Sequence, residues 1–372
     1  MNLADLRVGA QMSAKASGLE GVVVAETRLS HVDGERGELL IAGSRAEQLA
    51  LEDPGHFETA VERLLQLGAG EPQPRVQEQL AEARVRAFAR LPQLGHALCL
   101  PDAMDALLAT TAQGSAGSDA LGLLGALPVY VAAGVRLRAG QAAIAPDPTR
   151  RTAQDFMNML ALPENAARAR ALDSYLVTVS DHGLNASTFA ARVVASTGSD
   201  VMPCVVAGLA ALKGPLHGGA PGPVLDMLDA TTNSEPRPWL ERELAAGRRI
   251  MGMGHRIYRV RDPRAFVFER ALARLEREDP QKSAISARLA HARELERIAE
   301  ALLNERHPER PLRANVEFYT ALLLEAVGIP RELFTTTFAL GRGAGWLAHV
   351  AEQRQTGRLI RPAARYVGSM PD

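Results

Sequence analysis

The sequence predicts a mainly α protein. Three observations carry that reading: apolar residues recur at helical spacing through most of the chain, Gly and Pro breaks separate the periodic runs, and strand-type patterning is confined to the N-terminal part. Roughly fifteen to twenty helices and little sheet follow from the spacing of those breaks.

Taken in order, Val22-Val23-Val24-Ala25 and Leu39-Leu40-Ile41 read as short strands flanking a turn at Asp33-Gly34. Phe57, Val61, Leu64 and Leu65 then share one helix face, in a run that stops at Gly68, a residue type suited to a C-terminal cap. Gly70-Glu71-Pro72-Gln73-Pro74 is a connector, and helices over 76–91 and 102–112 follow it. The stretch 121–135 is apolar on every face, which predicts a buried core helix. Ala145-Pro146-Asp147-Pro148 interrupts the pattern before helices over 152–161 and 166–180. The stretch 180–197 reads as an otherwise apolar helix that bends or restarts around Gly183 and carries Asp181, His182 and Asn185. Residues 283–304 place Ile285, Leu289, Ala292, Leu295, Ile298 and Leu302 on one stripe, with a charged face opposite, so this helix lies on a surface. Apolar helices over 315–327 and 331–353 complete the series.

Composition excludes several function classes. The chain has 42 Lys plus Arg against 43 Asp plus Glu, so no net field recruits nucleic acid or an anionic membrane. The excess of Arg over Lys suits two-pronged recognition of carboxylate or phosphate. Cys99 and Cys204 have no ligand-type spacing, so neither a disulfide framework nor a zinc site is expected. No signal peptide is visible after Met1, and no apolar run of ~18 residues suggests a membrane span, so the expected location is cytoplasmic. The phosphate-binding G-x-x-x-x-G-K-[ST] loop, the dinucleotide G-x-G-x-x-G and the hydrolase G-x-S-x-G are all absent. No H-E-x-x-H pair occurs among the nine histidines, so metal catalysis is not expected. His291 and His307 fall on polar helix faces or ends and read as solvated. Gly341-Arg342-Gly343-Ala344-Gly345 sits in a helical pattern, where close helix packing accounts for the glycines.

What remains is a set of polar side chains in Gly-rich or apolar settings. Leu212-Lys213-Gly214-Pro215-Leu216-His217-Gly218-Gly219-Ala220 puts one imidazole on a tight turn, and Pro221 and Pro223 then suit the first turn of a helix. Met251-Gly252-Met253-Gly254-His255-Arg256-Ile257-Tyr258 supplies a second, and Arg259, Arg261 and Arg264 follow. Asn315-Val316-Glu317-Phe318-Tyr319 sets a carboxylate between hydrophobic residues, while Arg342 and Arg361 are isolated cations. Two imidazoles, a carboxylate base and several arginines suit carbon–carbon chemistry on a polycarboxylate.

These runs resemble the citrate synthase family, in its shorter bacterial and archaeal form. The likeness extends from about Gly18 to the C-terminus through GLEGVVVAET (18–27), DHGLNASTF (181–189), LKGPLHGGA (212–220), MGMGHRIYRVRDPRA (251–265), NVEFY (315–319), GRGAGWLAHVAEQ (341–353) and RLIRP (358–362). The resemblance implies a multi-helical fold with a short N-terminal β segment. It also implies a large domain from 1–211 and 321–372 and a small domain, 212–320, that closes over the site. It implies a cytoplasmic homodimer that condenses acetyl-CoA with oxaloacetate and water to citrate and CoA, through an enol or enolate, with no cofactor. His217 would hydrogen-bond the thioester carbonyl, Glu317 would take the methyl proton, and His255 would polarise the keto oxygen. His182, Arg264 and Arg342 would hold the oxaloacetate carboxylates, Arg361 would reach the neighbouring subunit's site, and Arg259 would contact CoA phosphates. His217 is expected to stay neutral beside a helix N-terminus.

The chain departs from the family pattern in several places. Glu317 stands where the family has aspartate, Pro221-Gly222-Pro223 where Asn-Glu-Ala is more usual, and Gly183 where a glutamate is common. Ile41-Ala42-Gly43-Ser44 replaces a Tyr-Arg-Gly-Tyr, and 96–104 lacks the usual His-Pro-Met. Two alternatives therefore stay open: a 2-methylcitrate synthase using propionyl-CoA, and a weakly active paralogue acting as a binding or regulatory dimer.

Overall fold

The computed structural model describes residues 18–19, 21–52, 56–114, 119–217, 221–254, 257–258, 260–309, 312–364 and 366–371. Its only sheet among those residues has three antiparallel strands in the order β1 (Ser30–Asp33), β2 (Glu38–Ile41) and β3 (Ser44–Arg45). Ser30 pairs with Ile41 and Asp33 with Glu38. The turn between them forms because Asp33 Oδ1 accepts the amides of Glu35 and Arg36, at 3.0 and 2.9 Å. The expected strand at Val22–Ala25 is not one. Its valines are largely exposed, and the strand that partners β2 is Ser30–Asp33, so β-propensity without a partner did not make sheet.

Helices account for most of the remaining described residues. They are α1 (Ala46–Leu51), α2 (Phe57–Ala69), α3 (Val76–Ala89), α4 (Leu91–Leu94), α5 (Ala103–Gln113), α6 (Ala120–Arg138), α7 (Thr152–Met159) and α8 (Ala166–Val179). After these come α9 (Ala186–Ser196), α10 (Val201–Leu212), α11 (Pro221–Thr231), α12 (Pro236–Ala245), α13 (Pro263–Glu278), α14 (Lys282–Arg306), α15 (Val316–Val327) and α16 (Phe334–Thr356). Many begin at a side-chain cap: Asp102, Asp119, Asn165, Asn185, Asp262 and Asn315 each accept an amide of the first turn. Helix α2 runs past Gly68 and is capped by Gly70 at φ +71°; Gly68 instead lets α16 approach, since a Cβ there would lie 2.4 Å from the Ala348 carbonyl.

Helix α6 is long and apolar enough to cross a membrane by length and composition, contrary to the expectation that no such run exists. It is a core helix: Leu121 through Gly134 are buried apart from Gly122, and α3 and α5 cover it. The other central element is α16, which packs on α2, α8, α9 and α10 and buries Trp346 completely. The surface helix read at 283–304 is α14, with its apolar stripe buried as expected.

The packing of α16 on the end of α8 builds the floor of the candidate site. A helix leaves its last carbonyls without intrahelical donors. Here α16 supplies them, as Arg342 Nε donates to Val179 O at 2.6 Å and Gly345 N to Ser180 O at 3.0 Å. A Cβ on Gly345 would stand 2.3 Å from Ser180 O. Gly345→Ala should therefore lower stability by about 2–4 kcal/mol, because overpacking and a lost hydrogen bond outweigh the ~1 kcal/mol that Ala gains in helix propensity. Denaturant unfolding checks this, and a stabilised variant would refute the close-packing account.

Candidate active site

Asp181, His182 and Asn185 do not lie within a helix. Helix α8 stops at Val179, Gly183 takes φ +62°, and α9 restarts at Ala186 with Asn185 as its cap. The bend is pinned on both sides, by Gly183 N donating to Ser30 Oγ at 2.9 Å and by Asp181 Oδ2, 3.2 Å from His349 Nε2. Arg192 directs Nη1 at His349 Nδ1 at 2.9 Å, so that nitrogen accepts and Nε2 carries the proton toward Asp181. Burial pushes the Asp181 carboxyl up, but His349 and Arg342 outweigh it and hold the group below the usual carboxylate range.

His182 comes out of this bend buried, its Nε2 2.9 Å from the Tyr258 hydroxyl. Tyr258 lies beneath Arg264, whose guanidinium centre is 6.0 Å from the ring centroid. Arg264 belongs to the first turn of α13 and forks onto Asp262, Nη2 to Oδ2 at 2.8 Å and Nε to Oδ1 at 3.1 Å. Burial opposes its charge, yet Asp262 more than compensates and keeps the guanidinium cationic.

Arg342 presents a second guanidinium from α16, fully buried and stacked 4.7 Å over the Phe338 ring. Its Nη2 has no partner, and neither do Asp181 Oδ1 and the Tyr175 hydroxyl, all three buried. Burial pushes Arg342 down to about 10; Asp181 pulls it back up, and the charge of Arg264 lowers it further. Two guanidiniums thus repel each other inside the protein beside unpartnered polar atoms.

His217 follows α10 on a turn closed by its own amide, which donates to Gly214 O at 2.9 Å. Its Nε2 lies 2.8 Å from Ser187 Oγ, which also accepts from Trp346 Nε1 at 3.1 Å and lies 2.8 Å from Asn185 Oδ1. The single Ser187 hydroxyl proton therefore has two acceptors, Asn185 Oδ1 and His217 Nε2; given to His217, it puts the ring proton on Nδ1. Burial pushes the His217 imidazole down to about 4, with the Arg342 charge second, so it is neutral at pH 7. Neutrality was expected from a helix N-terminus; burial and Arg342 supply it instead.

Glu317 occupies the first turn of α15, where its amide donates to Asn315 Oδ1 at 2.9 Å. Burial raises its carboxyl, with Arg264 pulling it down and Asp262 pushing it up. The loop that leads toward His255 is zipped to this helix start: Gly254 N donates to Arg313 O at 2.7 Å and Asn315 N to Gly252 O at 2.9 Å. Gly252 and Gly254 adopt φ +75° and +80°, which explains the alternating glycines of the Met251–Gly254 run.

His182, Arg264, Arg342, His217 and Glu317 are thus linked through short contacts and mutual electrostatics. Arg361 is not among them. It lies exposed in the tail after α16, next to Ile360, whose amide donates to Ser196 Oγ at the far end of α9 from Ser187, roughly 13–14 Å away by helix rise. His255 and Arg259 lie outside the described residues. His291 is only half-exposed, its Nε2 meeting Thr231 Oγ1 at 2.9 Å; His307 is exposed, as expected. Sequence reasoning missed Ser187, Trp346 and Tyr258 as partners. Only Ser187 left a local trace, two residues after a capping Asn.

A family model described as "Citrate synthase, C-terminal domain" matches residues 18–363. The citrate synthase of Haloferax volcanii is 35% identical over 375 residues, covering 94% of this chain and 95% of that protein. Among solved structures, citrate synthase from Thermotoga maritima superposes with a TM-score of 0.78 at 31% identity, over 96% of each chain. The ternary complex of carboxymethyl coenzyme A and oxaloacetate with citrate synthase from Thermoplasma acidophilum gives a TM-score of 0.81 at 27% identity, over 95% of this chain and 96% of that one.

Proposed function

The chain belongs to the citrate synthase family, and on that premise we propose that it condenses acetyl-CoA with oxaloacetate and water to give citrate and CoA. The observation that carries the proposal is the pair of buried, mutually repelling guanidiniums, Arg264 and Arg342, beside His182. Asp262 already offsets Arg264, but Asp181 leaves Arg342 still pushed down, so a further anion is favoured there, and a dicarboxylate supplies one with two-pronged hydrogen bonds. Arg342 Nη2, left without a protein partner, is one such prong.

The chemistry then divides among the remaining groups. Glu317 removes a methyl proton of the thioester as His217 donates from Nδ1 to the carbonyl oxygen, so the developing enolate is stabilised as it forms. The Ser187 amide supports this by donating to Nε2 at 3.4 Å, which keeps that nitrogen an acceptor. The nucleophilic carbon attacks the keto carbon of oxaloacetate, polarised by His255, and the new carbon–carbon bond leaves citryl-CoA. Water then cleaves the thioester, releasing CoA and citrate. Arg259 meets CoA phosphates, Arg361 completes the site of a partner in a cytoplasmic homodimer, and closure of 212–320 over the remainder excludes water.

Acetyl-CoA should be used with a kcat/KM at least ~10-fold above propionyl-CoA, the discrimination one methylene allows. A reversed ratio makes the protein a 2-methylcitrate synthase. No CoA release with either donor, despite oxaloacetate binding, makes it a non-catalytic paralogue.

A further inference from the structure

Asn315 is bonded on both sides. Its Oδ1 accepts the Glu317 amide at 2.9 Å, the capping bond of α15, while its Nδ2 donates to the Gly254 carbonyl at 2.8 Å. One partner is a donor and the other an acceptor, so the amide can face only one way. A flanking bridge between Met253 and Ala314 and the Asn315 N to Gly252 O bond hold the same two segments in register. Within that register, the Glu317 amide and the Gly254 carbonyl are tied to each other through one side chain.

We propose that Asn315 is a positioning residue that sets the placement of Glu317 relative to the His255 loop for the condensation. The inference rests on the reading of Glu317 as base and His255 as polarising group. Capping alone does not need asparagine, because serine and aspartate cap helices equally well. Donation to Gly254 O does, since serine is too short and aspartate has no N–H. The demand for both bonds at once singles out the amide.

Asn315→Ser and Asn315→Asp keep the cap and lose the donor, so the full-length protein separates the two roles. Steady-state CoA release should show kcat lower by about 10–100-fold, the range a displacement near 1 Å produces. The KM for oxaloacetate should hold within about 3-fold, because Arg264, Arg342 and His182 are untouched. The thermal midpoint should stay within about 3 °C, as the cap persists. In Asn315→Asp, the added carboxylate beside Glu317 should also move the acid limb of kcat/KM to higher pH than in Asn315→Ser. Wild-type kcat in Asn315→Ser, with Glu317→Gln inactive, overturns the inference and leaves the proposed function standing. A lower thermal midpoint with unchanged kcat assigns a merely structural role and overturns it as well. A wild-type chain that releases no CoA from either acyl donor refutes the underlying reading, and this inference with it.

Discussion

Glu317→Gln should reduce CoA release from acetyl-CoA and oxaloacetate by about 1,000-fold or more, with oxaloacetate affinity nearly unchanged, as expected when a general base is removed. Glutamine matches the shape of glutamate, and the backbone N–H of residue 317 still reaches the Asn315 cap, so the geometry of α15 persists. What is lost is the ability to accept the methyl proton. The wild-type pH profile provides a second check. Burial raises the Glu317 carboxyl, and the base works only when ionised. The rate therefore falls as pH drops through that raised value, and the acid limb of kcat/KM lies above the ordinary glutamate range near ~4.3. His217, pushed down to about 4, stays neutral across that limb and does not produce it. Stability should move the other way. A carboxyl whose folded pKa is raised destabilises the fold once ionised, so Gln should leave the thermal midpoint at neutral pH equal or higher. Near-normal turnover in this variant would remove Glu317 from the mechanism.

The helical part of the fold was legible because its signal is local. The stripe of α14 and the all-apolar α6 can each be read within a few turns of chain. Strand position was not, because pairing decides it: a run of valines at 22–24 lost to Ser30–Asp33, whose register with Glu38–Ile41 closes a tight turn on Asp33. Family motifs located His182, His217, Glu317, Arg264 and Arg342, but not what holds them. Ser187 and Trp346 meet across 159 positions, and Arg342 meets the Val179 carbonyl across 163. Such contacts leave no periodic trace. The neutrality of His217 shows how a correct expectation can rest on another cause, since burial and the distant Arg342 supply it rather than a neighbouring helix.

Arg342→Met should raise the KM for oxaloacetate by about 30-fold or more, since losing one partner of a buried charged hydrogen bond costs on the order of 2–5 kcal/mol. Acetyl-CoA affinity should change little, because its contacts are assigned to other residues. The same substitution should cost little stability. Removing the side chain strands the Val179 carbonyl, a loss of about 1–3 kcal/mol. Against that, it relieves a fully buried cation whose Nη2 has no partner, whose pKa burial has already pushed down, and which is repelled by Arg264. Desolvation of a buried charge amounts to several kcal/mol, and Asp181 returns only part of it, since Arg342 stays pushed down; relief therefore offsets the stranded carbonyl, and methionine refills the volume over Phe338. A buried residue whose loss impairs substrate binding and spares the fold is held for the ligand, not for the core. Thermal melts beside steady-state kinetics decide the matter: a collapsed midpoint with an unchanged KM would make Arg342 a structural strut for the end of α8.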